Sequence, residues 1–173
     1  SYPGDRYGST EPAGADPRIF AIGFRNIHGI GFRPLTGRPY ILDHGPAYID
    51  EVTPLTAGGN GGWHPICSDP NSSSYCGYDG KTLMTDTVQF PNALPPAWTT
   101  GNDAAGLSGG TFLSGPQWRA WDGALVAAML SGKRLEVIAL DAAGMNGRNT
   151  PILADLDTRL RTAALAPDGA LYI

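Results

Sequence analysis

The chain has 173 residues and a formal net charge of -4, with 24 Gly, 15 Pro and only 16% charged residues. That balance supports a globular core and excludes a disordered chain, while the mild acidity and lack of a clustered set of Lys and Arg exclude a phosphate-neutralising nucleic-acid surface. The longest apolar run, Ala124 to Leu130, is far shorter than the roughly 20 residues that cross a bilayer, so no membrane span is expected.

Residues 1–16 are rich in Gly, Pro and polar side chains and carry no basic-then-apolar leader pattern, so the start reads as internal. Arg18-Ile19-Phe20-Ala21-Ile22 then reads as a strand stopped by Gly23. Gly29 to Arg33 forms the next strand, Pro34-Leu35-Thr36-Gly37 a turn, and Arg38 to Asp43 a further strand. The segment 57–107 lacks periodicity and carries Gly58-Gly59-Asn60-Gly61-Gly62-Trp63 and a cluster of prolines. It is expected to form long loops around one or two weak strands such as Thr82–Val88, with 64–100 as a loop-rich insertion. Within it Cys67 and Cys76 flank a polar loop, and a disulfide between them is favoured over two free thiols, which implies an oxidising compartment.

Further along, Gly109 to Leu113, a turn-rich stretch ending at Trp121-Asp122-Gly123, and Ala124 to Ala128 repeat the strand–turn–strand unit. Thr162 to Ala166, Pro167-Asp168-Gly169 and Ala170 to Ile173 repeat it again. Helix is the minority reading of Trp118–Leu130 because Gly123 interrupts it. Such units at intervals of tens of residues predict an all-β fold made of propeller blades, about three to four of them in this chain. A partial ring leaves strand edges and apolar faces to be covered by the remainder of the propeller or by a partner chain, so residues 1–173 are read as a segment of one longer propeller domain.

Two clusters of residues could carry chemistry. Arg25-Asn26 follows the first strand, where fixed donors could hold a carboxylate or a quinone carbonyl; the alternative is a polar turn cap. His28 taken alone reads as structural. Asp43-His44-Gly45-Pro46 followed by Asp50-Glu51 places carboxylates and backbone carbonyls around a tight turn, the oxygen-rich chemistry that hard cations such as calcium prefer, although such turns are also common between strands. No catalytic serine arrangement, phosphate-binding glycine loop or zinc-ligand set stands at usable spacing.

Taken in order, Gly23-Phe24-Arg25-Asn26-Ile27-His28-Gly29-Ile30-Gly31-Phe32-Arg33-Pro34, Asp43-His44-Gly45-Pro46, Asp50-Glu51 and Gly59-Asn60-Gly61-Gly62-Trp63 resemble the signature of the soluble pyrroloquinoline-quinone (PQQ)-dependent aldose sugar dehydrogenases, within the glucose/sorbosone dehydrogenases. Leu107-Ser108-Gly109, Trp121 to Val126, and Arg159-Leu160-Arg161 through Tyr172 resemble the later blades of that family. The resemblance implies a six-bladed propeller, of which this chain is part, holding a quinone and calcium at one face.

By that likeness Arg25, Asn26, Arg159 and Arg161 hold the quinone, Gly45 and Pro46 offer carbonyls to calcium, and Asp50 and Glu51 serve a second, structural calcium. The implied activity is oxidation of an aldose at its anomeric carbon. The alternative is a non-catalytic extracellular propeller, like the hedgehog-interacting relatives, that binds a protein or glycan. Three departures stand out. The family's general-base histidine belongs to an earlier blade, so no catalytic residue is assigned here. The family's lysine falls at Ser131, with Lys133 nearby, and Ile27-His28 and Gly61-Gly62 replace the usual Pro-Gln and Tyr-Gly. A secreted location, extracellular or periplasmic, is expected.

Overall fold

The computed structural model describes residues 16, 18–64 and 83–173; Cys67 and Cys76, and with them the expected disulfide, lie outside the described residues. Four sheets follow one another. Strands β1 (Ala21–Ile22) and β5 (Gly59–Asn60) form a short parallel pair. The first complete sheet is β2 (Ile27–Phe32), β3 (Pro39–Asp43), β4 (Glu51–Pro54) and β6 (Trp98–Thr99). The second is β7 (Leu107–Phe112), β8 (Leu125–Met129), β9 (Arg134–Ala139) and β10 (Arg148–Ile152), and a hairpin of β11 (Ala164–Leu165) and β12 (Leu171–Tyr172) ends the chain. Every neighbouring pair in the two complete sheets is antiparallel, which gives each the meander of a propeller blade. Among the described residues, two sheets are complete four-stranded blades of the expected partial propeller, flanked by a parallel pair and a hairpin.

The turns have local causes. Gly37 (φ 64°) closes the β2–β3 connection by donating its N–H to the Arg33 carbonyl at 2.9 Å. In the last hairpin the Asp168 carboxylate accepts the Ala170 N–H at 3.0 Å, and Ala166 N–H bonds the Ala170 carbonyl at 2.8 Å.

Packing is layered. Tyr40, Leu42 and Val52 of the first sheet meet Leu107, Phe112, Leu125, Ala127, Met129 and Ile138 of the second in one core. Leu113, Val126, Ala128, Leu135 and Val137 point the other way, onto Leu160, Ala163 and the final hairpin. The inner strand β8 is therefore buried on both faces, which is why Ala124 to Leu130 reads as a continuous apolar run and not as an alternation. The glycines of β2 let its backbone close on β7: a Cβ at Gly29 would lie 3.1 Å from Gly109 Cα, and one at Gly31 would lie 3.3 Å from the Phe112 ring. Tyr40 crosses the same boundary, its hydroxyl donating to the Gly144 carbonyl at 2.9 Å.

Three local expectations are revised. The Arg18–Ile22 strand shortens to Ala21–Ile22. No strand occupies the described part of Thr82–Val88, where the Asp86 carboxylate instead caps a turn by accepting the N–H groups of Val88 and Gln89, each at 3.0 Å. Part of the Trp118–Leu130 stretch is helical after all, in a 3-10 turn over Pro116–Trp121, before β8 begins. Among the described residues no helix is long and apolar enough to cross a membrane.

Candidate functional site

The beginnings of β2 and β7, the end of β3 and the start of β4 meet at one edge of the two complete sheets, because β3 runs antiparallel to both of its neighbours. Asp43, the last residue of β3, is buried and anchors this edge. Its carboxylate accepts the Asn26 N–H at 2.6 Å and the Arg25 N–H at 3.0 Å. Burial pushes this carboxyl above the usual range for aspartate, partly offset by those two N–H bonds and by the Arg25 charge.

With its backbone pinned in this way, Arg25 turns its guanidinium onto the following loop. Nη1 donates to the carbonyl of His44 at 2.5 Å and to that of Gly45 at 3.0 Å, and the guanidinium carbon lies 5.8 Å from the Trp63 ring centroid. Asp50 closes the loop from below: one carboxylate oxygen accepts the Gly45 N–H at 2.8 Å and the other the Leu107 N–H at 2.8 Å, joining the two sheets. Only glycine fits at position 45, since a Cβ would sit 2.2 Å from the Tyr48 carbonyl oxygen and 2.9 Å from that of Ile49. The loop is therefore dense in backbone oxygen around one glycine.

Two histidines line the inner side. The His44 and His28 rings are 5.1 Å apart and tilted, and His44 Nδ1 lies 3.2 Å from the Leu107 carbonyl. The β-bulge between Ile27 and Gly29 sets His28 at this place, with its Nδ1 buried and without a hydrogen-bond partner among the described residues. Burial first, then the positive charges of His44 and Arg161, hold His28 below the usual histidine range. Arg161 reaches this neighbourhood because its own carbonyl accepts the Gly109 N–H at 2.9 Å, which lays its segment along β7.

The expected site residues thus separate into those the fold gathers and those it leaves apart. Arg25, the backbone of Asn26, Gly45 and Asp50 form one connected network, with Arg161 beside it; the Asn26 side chain is exposed at the edge. Pro46 is half-buried in the same loop, and Arg159 is exposed two residues before Arg161. Glu51 is buried behind the edge, paired in register with Asp43, and accepts the Thr85 hydroxyl at 2.9 Å. Ser131 donates its hydroxyl to the Ala104 carbonyl at 2.5 Å, and the Lys133 ammonium pairs with Asp157 at 2.7 Å.

Sequence reasoning had no role for Thr85, which sits in a stretch read as a strand or loop, or for the carbonyls of His44 and Leu107, which no side-chain pattern can reveal. Among the described residues no group of three or more His, Cys, Asp or Glu side chains is placed to hold a metal, so what this edge offers a cation is mainly carbonyl oxygen.

Residues 5–173 match the family model described as Glucose / Sorbosone dehydrogenase. The aldose sugar dehydrogenase YliI of Escherichia coli is 27% identical over 163 residues, covering 93% of this chain and 42% of that protein. A crystal structure of a glucose dehydrogenase superposes with a TM-score of 0.74 at 27% identity, covering 92% of this chain and 44% of the other. The PQQ-bound form of an aldose sugar dehydrogenase from Streptomyces coelicolor shares the fold, with a TM-score of 0.61 at 22% identity over 90% of this chain and 39% of that one. The chain spans about two-fifths of the length of the curated relatives it matches.

Proposed function

The chain belongs to the glucose/sorbosone dehydrogenase family, and from that premise we propose that it supplies the ligand-holding rim of a quinone-dependent oxidoreductase that oxidises the anomeric carbon of aldose sugars. The observation that carries this reading is the convergence at one edge of the two sheets: a guanidinium seated on two loop carbonyls, a second arginine, and a buried histidine nitrogen with no hydrogen-bond partner among the described residues.

These residues fit an anionic, carbonyl-bearing ring ligand. A buried nitrogen without a partner costs on the order of 1–3 kcal/mol, a cost that a bound hydrogen-bonding ligand removes. Arg25 and Arg161 supply the positive charge that carboxylates need, and in this reading the exposed Asn26 and Arg159 add donors. The loop also fits a hard cation, since the His44 and Gly45 oxygens already converge on one positive centre, with Pro46 next in the loop. In this reading Gly45 and Pro46 hold a calcium through their carbonyls, and Asp50 and Glu51 belong to its support or to a second calcium.

When bound, the quinone supplies a two-electron acceptor for hydride from the sugar. The residues of this chain bind and orient it; none of them is assigned the proton-accepting role. The matched relatives that carry an activity in their names are sugar dehydrogenases, which does not favour the non-catalytic, hedgehog-interacting-like alternative. The Cys67–Cys76 pair, if joined, places the protein in an extracellular or periplasmic compartment.

The test is equilibrium dialysis of the intact protein against PQQ with and without calcium, followed by dye-linked oxidation of glucose and other aldoses. Quinone retained at micromolar concentration with sugar-dependent dye reduction is the expected result. Absence of quinone binding overturns the reading.

A further inference from the structure

The edge of the two complete sheets remote from the candidate site carries a cavity of its own. β2 and β7 start at the candidate edge, so Arg33 and Ser114, just beyond their ends, lie at the other, where β8 starts and β9 finishes. The cavity between these ends measures about 620 Å3, within the range of about 300–1,000 Å3 that ligand pockets occupy. Every residue that lines it belongs to the strands of these two sheets or joins them, so no further blade is needed to complete it.

Its polar side chains are fixed in place and left partly free. Arg33 Nη2 donates to the Asp141 carbonyl at 2.7 Å and Nη1 to that of Ala142 at 3.3 Å, which leaves the other guanidinium hydrogens for a ligand. Asp122 Oδ1 accepts the Gly115 N–H at 2.9 Å, whereas its Oδ2 and the Ser114 hydroxyl have no partner among the described residues. Thr36 adds a second hydroxyl, and Ala124, Ala139 and Leu140 are among the apolar lining. The walls also store strain. Leu35 holds φ 67°, and Arg119, next to the lining residue Ala120, holds φ 52°, conformations that bulky side chains rarely adopt. Leu35 is moreover fully exposed, an apolar side chain on the lining of a partly polar cavity.

Charge decides what such a cavity takes. A carboxylate only accepts hydrogen bonds and a guanidinium only donates them. An anion gains at Arg33 and is repelled at Asp122, and a cation meets the reverse. A hydroxyl both donates and accepts, so a neutral ligand with several adjacent hydroxyls satisfies both groups and sets its C–H surface on the apolar lining. We propose that this cavity is a saccharide-binding site separate from the candidate site, in which Asp122 accepts sugar hydroxyls, Arg33 donates to them, and Leu35 covers the C–H face of the ring. The site needs neither quinone nor cation, so it stands or falls apart from the function proposed above.

The experiment is calorimetric titration of maltose and of cellobiose into the intact protein without PQQ or calcium, with leucine as a zwitterionic control, followed by hydrogen–deuterium exchange at saturation. Saturable disaccharide binding is expected, with exchange slowed at 33–37 and 114–124. Asp122→Asn keeps an oxygen for the Gly115 N–H and loses the free carboxylate oxygen, and Arg33→Gln loses the guanidinium donors; each should weaken binding about tenfold. The proposal is overturned if neither disaccharide binds, if leucine binds as tightly, if exchange at those two stretches is unaffected, or if either variant binds as tightly as the wild type. The exchange map uses the wild type alone and decides the case even where a variant does not fold.

Discussion

Glu51 gives the edge of the first sheet a pH dependence that can be worked out from its surroundings. It opens β4, is 6% exposed, and stands opposite Asp43 in the β3–β4 ladder. Burial raises its carboxyl from 4.5 to about 7, with the Asp43 charge adding to the rise and the Thr85 hydroxyl opposing it. The folded protein therefore holds this proton more tightly than the unfolded chain does. Below pH 4.5 both states are protonated and the group is neutral to stability; as pH climbs to about 7 the unfolded state gains by ionising first, and the fold loses stability. At about 1.4 kcal/mol per pH unit over that interval, the loss is on the order of 3 kcal/mol. Glu51→Gln keeps the shape, leaves an oxygen for Thr85 and removes the titration. Urea midpoints followed by tryptophan emission between pH 4.5 and 8, in chelator, should fall for the wild type and be markedly flatter for the variant. The raised Asp43 carboxyl, which acts in the same direction, leaves a residual slope. Equal slopes in the two proteins would refute the account.

Gly109→Ala places a Cβ 2.3 Å from Thr162 Oγ1 and 2.7 Å from Thr162 Cβ, and this overpacking should cost about 1–3 kcal/mol in a denaturant titration. Adding Thr162→Gly should recover part of that loss in a double-mutant cycle. Asp50→Asn turns an amide NH2 toward one of the two N–H donors, Gly45 or Leu107, and should lose about 2 kcal/mol by the same titration, with a loosened 44–49 loop seen as faster amide exchange at Gly45. Tyr40→Phe strips the bond to the Gly144 carbonyl and should lower stability by about 1 kcal/mol without changing ligand binding at the opposite edge.

Which strands were readable follows from how each one is buried. β3, which reads as Arg38 to Asp43 and forms Pro39–Asp43, is legible because a proline–glycine turn precedes it, and β8 because both of its faces are apolar. β10 escaped notice: as the outer strand of its sheet it exposes Arg148, Asn149, Thr150 and Pro151, and so shows no apolar alternation. β9 hides a buried Glu136 whose charge is met by Arg134 at 2.5 Å and Asn149 at 2.9 Å, a compensation visible only after folding. The run Gly58 to Gly62 reads as a loose loop, yet its Gly59–Asn60 pairs in parallel with Ala21–Ile22, and a Cβ at the adjoining Gly61 would lie 2.3 Å from the Phe24 ring. Gly61 answers to close approach, whereas Gly58 and Gly62 hold φ values of 71° and 81° that glycine adopts readily.

The site divides along the same line. Residue types and their order are sequence properties, so Arg25, Asn26, Gly45, Pro46 and Asp50 could be named in advance, but what each one touches is set by how closely the two complete sheets approach. The glycine face of β2 lets β7 come near enough for Asp50 to bind the Leu107 N–H and for Arg161 to act on His28. A larger residue at Gly29 would push against Gly109 and Ser108, the strand start that carries those contacts, and the edge would spread with every named residue still in place. Backbone approach, more than any one of the side chains, thus brings these residues together as one candidate site.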